Sequence, residues 1–150
     1  MSPSWLVIGL GNPGPRYDGT RHNVGADVVT ELCVRAGEKL SPARRQQAEL
    51  VRTRVSSAGL GVPAADAQAV TLMRSRTYMN ESGIAVRKVA SVAGITPDHL
   101  IVVHDEIDLD PGRLRLKKGG GDNGHNGLKS IRAHMLSLIH ISEPTRPLYI

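Results

Sequence analysis

Aromatic side chains are scarce in this chain of 150 residues: one Trp, three Tyr and no Phe. A core must therefore pack from Val, Leu, Ile and Ala, and a single-stranded nucleic-acid surface built on stacked rings is disfavoured. Long hydrophobic runs are missing as well. None approaches the roughly 18 apolar residues a spanning helix needs, which argues against a membrane protein. Met1-Ser2-Pro3-Ser4 puts no basic segment ahead of an apolar one, so no secretion signal is read there. The one cysteine, Cys33, cannot form an internal disulfide, and a reducing cytoplasm is the expected location.

What is present is basic. Lys and Arg number 19 against 14 Asp and Glu, a formal charge of +5, which favours a polyanionic partner such as nucleic acid. Hydrophobic residues make up 40% of the chain, enough for the core of one domain and little more.

Apolar spacing predicts the elements. Trp5-Leu6-Val7-Ile8 reads as a buried first strand stopped by Gly9, followed by a turn-rich loop from Gly11 to Asn23. Val24 to about Ala36 carries helical spacing, with Gly37 as its stop. Leu50–Val55 and Ala69–Met73 predict two strands joined by the Gly/Ala-rich stretch Ser57–Gln68. Asn80 is the expected N-cap of a helix running to Ala93 and ended by Gly94. Leu100-Ile101-Val102-Val103 is apolar on both faces, as in a strand covered by helices on each side. Arg113-Leu114-Arg115-Leu116-Lys117 alternates strictly, a strand with one basic face, and a helix is expected from Asn126 to about Leu136. Strands interleaved with helices give an α/β layered sheet.

Four constellations carry chemistry. Gly9-Leu10-Gly11-Asn12-Pro13-Gly14 has the G-x-G-x-x-G spacing of a dinucleotide loop. Such a loop must enter a helix at once, and Pro13, Pro15 and Gly19 argue for a rigid loop that presents Asn12 instead. Thr20-Arg21-His22-Asn23 ends that loop. A loop histidine is most often an ordinary surface residue, but this one sits near a strand mouth, and its usual pKa of about 6.5 suits proton abstraction. His104-Asp105-Glu106-Ile107-Asp108-Leu109-Asp110 leaves the doubly buried strand and has three readings. It is a divalent-metal set (His104, Glu106, Asp108, Asp110), a solvated acidic turn closed by Pro111-Gly112, or a site where Asp105 orients His22. Last, Gly119 to Gly127 holds glycines that permit close backbone approach, with Asn126 at a helix start. Arg113, Arg115, Lys117 and Lys118 before it are candidates to meet phosphates, against the reading of an ordinary solvated strand face. No Ser or Cys stands where a covalent nucleophile would.

Five stretches taken together resemble bacterial-type peptidyl-tRNA hydrolase. They are Val7–Gly14 with Tyr17, Thr20–Gly25, Thr77–Gly83, His104–Asp108 and Gly119–Lys129, in that family's order over roughly residues 5 to 135. The resemblance implies a single-domain three-layer α/β/α sandwich around a twisted mixed sheet. It implies an enzyme that cleaves the ester between a peptide and the 3′-terminal ribose of tRNA, with a non-catalytic RNA-binding relative as the alternative. His22 is then the general base that activates water and Asp105 its orienting carboxylate. Asn12 separates a blocked from a free α-amino group; Tyr17, Tyr78, Asn80 and Asn126 meet substrate, and Asn126 helps place the water. The resemblance also implies no metal, no cofactor, no membrane association, a monomer, and peptidyl-tRNA as partner. It stops near His134. The C-terminal part of the family fold is expected to be missing, leaving an incomplete hydrolase-like domain at 1–136 and a foreign-looking, unstructured tail at 137–150. Leu138 to Pro147 looks like translated sequencing-adapter read-through.

Overall fold

In the computed structural model, the structure describes residues 4–11, 24–75, 81–104, 117–118, 130–131 and 148–149, the backbone alone at 24, 117–118 and 148–149. Among the described residues, eight strands form one sheet: β1 (Trp5–Gly9), β2 (Ser41–Ala43), β3 (Ala48–Ser56), β4 (Gly59–Leu60), β5 (Gln68–Ser75), β6 (Leu100–Val103), β7 (Lys117–Lys118) and β8 (Leu148–Tyr149). Two helices, α1 (Val24–Ala36) and α2 (Ser82–Ala93), complete the named elements, and Ser130–Ile131 are helical. The spatial order is β2-β3-β5-β1-β6-β8-β7, with β4 paired to the end of β3.

The sheet is mixed. β1 lies between β5 and β6, parallel to both, whereas β3 runs antiparallel to β5 with Leu50 opposite Met73 and Arg52 opposite Thr71. Side-chain alternation along β1 divides the core in two. Leu6 and Ile8 join Leu100, Val102 and Met73 under Ala85, Val86, Val89 and Ala90 of α2. Trp5 and Val7 face the other way, with Val70 and Leu72, under Val29 and Cys33 of α1. These clusters give the three-layer α/β/α architecture that the resemblance implies. Burying each large aliphatic side chain contributes about 1.5–3 kcal/mol, so a core almost free of aromatics remains adequate.

Both helices end as expected. Gly37 (φ 70°) follows α1, with Gly37 N–H donating to Val34 O (3.1 Å) and Glu38 N–H to Cys33 O (2.9 Å). Gly94 (φ 68°) closes α2, and Ile95 N–H returns to Ala90 O at 2.9 Å. Glycine takes this left-handed conformation without a Cβ penalty, which lets the next amides reach back to the last carbonyls.

The start of α2 differs from expectation. Glu81, not Asn80, occupies the N-cap and makes no side-chain capping bond. Gly83 N–H instead donates to Ser130 Oγ at 2.8 Å, a buried contact from a distant segment. A free amide of the first helical turn needs an acceptor, and here tertiary structure supplies one.

The tail also differs in part. Leu148 and Tyr149 form β8, parallel to Ile101–Val102 of β6 and antiparallel to Lys117–Lys118 of β7. The rest of 137–150 lies outside the described residues, as do 113–116 of the expected basic strand and most of the helix expected from Asn126. No helix among the described residues is long and apolar enough to cross a membrane.

Candidate active site

The parallel pairing of β1 with β5 and β6 sets Gly9, Arg74 and Val103 in one row across three strands. Their carboxyl ends therefore open at the same end of the sheet, where open α/β sheets hold ligands. The chain leaves that row toward Asn12 from β1, toward Tyr78 and Asn80 from β5, and toward Asp105 from β6.

A fourth segment reaches the same place. Leu10 N–H donates to Val103 O at 3.0 Å, and Ala26 N–H donates to Leu10 O at 3.1 Å. The first turn of α1 is thereby tied to the ends of β1 and β6. The fit is tight enough to require glycine twice. A Cβ on Gly25 would lie 2.1 Å from Val103 O and 2.7 Å from Leu10 N, and one on Gly9 would lie 2.2 Å from Gly25 O. In sequence, Asp105 follows Val103 by two residues and His22 precedes Gly25 by three.

A second junction lies at the start of α2. Ser82 and Ile131 are fully buried, and the Gly83–Ser130 bond fixes the start of α2 against the 130–131 segment. Asn80 lies two residues before Ser82, and Asn126 four before Ser130.

His22, Asp105, Asn12, Tyr17, Tyr78, Asn80, Asn126, Arg113 and Arg115 themselves lie outside the described residues. Lys117 and Lys118 are described as the backbone of β7, across β8 from β6. Of the alternative metal set only His104 is described, and no metal-holding cluster occurs among the described residues.

Two residues at this end were not singled out from sequence. Arg74, on the row with Gly9, donates to Thr30 Oγ1 of α1 (3.2 Å) and pairs with Glu49 Oε1 of β3 (3.1 Å). It ties three elements on the α1 side of the sheet. The only sequence signal is a guanidinium at the end of the apolar run Val70–Met73. Ser130 had no local signal. Behind the row, burial pushes the Cys33 thiol pKa up, an effect that nearby Arg74 partly offsets. Cys33 therefore stays a neutral, packed thiol.

Comparison with known proteins places this geometry. A family model for peptidyl-tRNA hydrolase matches residues 6–139. A peptidyl-tRNA hydrolase of Cutibacterium acnes is 91% identical over 135 residues, covering 90% of this chain and 68% of the relative. One from Mycobacterium ulcerans is 46% identical over 133 residues, covering 89% and 64%. A crystal structure of peptidyl-tRNA hydrolase from Acinetobacter baumannii superposes with a TM-score of 0.80 at 34% identity, covering 99% of this chain and 67% of that one. Among these curated relatives the chain spans about two thirds of the length, and in the case of Alkalilimnicola ehrlichii 60%.

Proposed function

The chain belongs to the peptidyl-tRNA hydrolase family, and from that premise we propose that it hydrolyses the ester joining a peptide to the 3′-terminal ribose of tRNA. The observation that carries the reading is the backbone junction of Leu10, Gly25 and Val103, residues that lie within three positions of Asn12, His22 and Asp105 in sequence.

In this reading His22 takes a proton from water as the oxygen attacks the ester carbonyl. Asp105 holds the imidazole in the tautomer whose free nitrogen accepts that proton, and stabilises the imidazolium that forms. The Asn80 amide donates to the developing oxyanion, and Asn126 keeps the water in line. Collapse breaks the carbonyl–oxygen bond to ribose, the ribose oxygen takes the proton back from His22, the new carboxyl gives its remaining proton to solvent, and a peptide carboxylate and free tRNA leave. A positioned base is worth roughly 10²–10⁴-fold. An ester is activated enough for that to suffice without a covalent intermediate, a metal or a cofactor.

Asn12, with Tyr17 and Tyr78 beside the substrate, explains selectivity. A neutral amide matches a peptide bond, whereas it leaves a free ammonium poorly satisfied, so unblocked aminoacyl-tRNA is spared. Arg113, Arg115, Lys117 and Lys118 hold backbone phosphates without reading bases, as a substrate class with many sequences requires. Residues 1–136 are the hydrolase unit, acting as a monomer in the cytoplasm.

The test is hydrolysis of N-acetylated and unblocked aminoacyl-tRNA side by side. The intact chain should cleave only the blocked ester, and His22→Ala should lose at least about 100-fold in turnover while keeping its affinity for tRNA. An intact chain that binds tRNA and cleaves neither ester would mark it as a binding relative.

A further inference from the structure

We propose that the turn at 44–46, the outward arginines of β3 and the exposed side of α2 form a second RNA-docking surface, one that takes the phosphate backbone of a double-helical arm of the tRNA. The inference rests on the hydrolase reading for the identity of the RNA, and on separate residues for the surface itself.

Arg44 and Arg45 are exposed on a single helical turn between β2 and β3 that packs against α2. Lys88 of α2 is anchored beside them, its Nζ donating to Gln47 Oε1 at 2.7 Å. That partner is a neutral amide, so the charge of Lys88 remains available. Arg87 is exposed next to it. Along β3, Arg52 and Arg54 share the face of Leu50, which packs into the α2-side core, and both are exposed. The acid of β3, Glu49, points to the opposite face and is held there by Arg74. None of the six basic residues on this surface forms an ion pair with another described residue.

Size and chemistry select the partner. From Ala48 to Arg54 the strand alone runs about 20 Å, and the turn extends the strip further. A single phosphate or a small anion cannot engage such a length; a run of backbone phosphates can. Guanidinium forks meet phosphate oxygens in pairs and do so whatever the base sequence. The strip begins near the carboxyl end of β5, since Ala48 pairs with Ser75, and so adjoins the candidate active site. It lies on the opposite side of the sheet's centre from β7 and its Lys117 and Lys118. A substrate whose ester sits at the strand ends would be held from both flanks.

The competing role for Arg52 and Arg54 is to keep another strand from pairing with this edge. That role leaves RNA affinity untouched, and it does not account for Arg44, Arg45 or Lys88.

The test uses the full chain with Arg44→Gln, Arg45→Gln, Arg52→Gln and Arg54→Gln combined. Two RNAs serve as probes: deacylated tRNA, and a short single-stranded CCA oligonucleotide carrying an N-acetylated aminoacyl ester. Loss of four phosphate contacts should weaken tRNA binding at least about tenfold in 0.1 M salt and flatten the dependence of log Kd on log salt by about 3. Turnover of the short ester should not change. Unaltered tRNA affinity and slope would overturn the proposal, as would a loss confined to anionic phosphatidylglycerol vesicles. If neither parent nor variant cleaves any ester but tRNA affinity still falls, the hydrolase reading fails while the docking surface stands. Should the fourfold variant melt early, the pairs Arg44→Gln/Arg45→Gln and Arg52→Gln/Arg54→Gln carry the same test, each with about half the change in slope.

Discussion

Gly25 shows how one missing side chain holds a site together. Its backbone fills the corner where β1, β6 and α1 meet, and any Cβ there would overlap backbone atoms of Val103 and Leu10. Neither neighbour can yield, because Val103 O and Leu10 N are themselves bonded to each other at 3.0 Å. Gly25→Ala is therefore expected to cost about 3 kcal/mol or more, read as a lower midpoint in urea denaturation. An alanine tolerated within about 0.5 kcal/mol would show that α1 does not sit this close. In the proposed hydrolase reading, with His22 three residues before Gly25 and Asp105 two after Val103 in sequence, any Gly25→Ala protein that still folds should lose turnover before it loses tRNA affinity. Arg74 contributes differently: its pair with Glu49 is partly exposed, so its value lies in fixing β3 and α1 relative to β1 more than in Coulomb energy.

At the scale of elements, the instructive case is the start of α2. The amide of Gly83 belongs to the first turn, where four N–H groups have no partner within the helix. Ser130 supplies an acceptor from 47 residues away in sequence. Ser130→Ala would bury that donor unpaired, at a cost of about 1–3 kcal/mol, measurable by urea denaturation with an unchanged m value. In the proposed hydrolase reading, with Asn80 two residues before Ser82 and Asn126 four before Ser130 in sequence, the loss should also slow turnover of blocked aminoacyl-tRNA; equal stability of the two proteins would show that the bond carries no weight. Sequence alone predicts an Asn80 cap because capping rules describe neighbours along the chain, and Ser130 is a neighbour only in space. The same distinction explains what was legible elsewhere. β1, α1, β6 and both glycine stops follow from local periodicity and the left-handed preference of glycine, and all appear where expected. β2 was not foreseen, because Ser41-Pro42-Ala43 has no strand pattern and pairs only because β3 folds back beside it. The candidate site residues rest on motif resemblance and lie outside the described residues, whereas Arg74 carries no motif, since a lone arginine in a strand announces nothing until its partners arrive from α1 and β3.

At the scale of the whole molecule, the sheet is asymmetric about β1. On one side β5 and β3 pair over eight residues, from Ala48–Ser75 to Val55–Gln68. On the other, among the described residues, β6 is joined to β7 through the two residues of β8. An apolar strand such as β6 left with an open edge would expose a row of unpaired backbone groups, and Leu148–Tyr149 satisfy part of that row while linking Lys117 and Lys118 to the sheet. The linkage is made by backbone, so it tolerates the unusual sequence around it and is sensitive to loss of a donor. Leu148→Pro removes a ladder N–H at a position flanked by strands on both sides, where proline is scarcely accommodated. The expected result is destabilisation of about 1–3 kcal/mol, with faster amide exchange at Ile101 and Val102 than in Leu148→Ala, which keeps the donor. If proline and alanine variants matched in stability and exchange, β8 would carry no weight in the sheet, and the β7 lysines would be positioned by other parts of the chain.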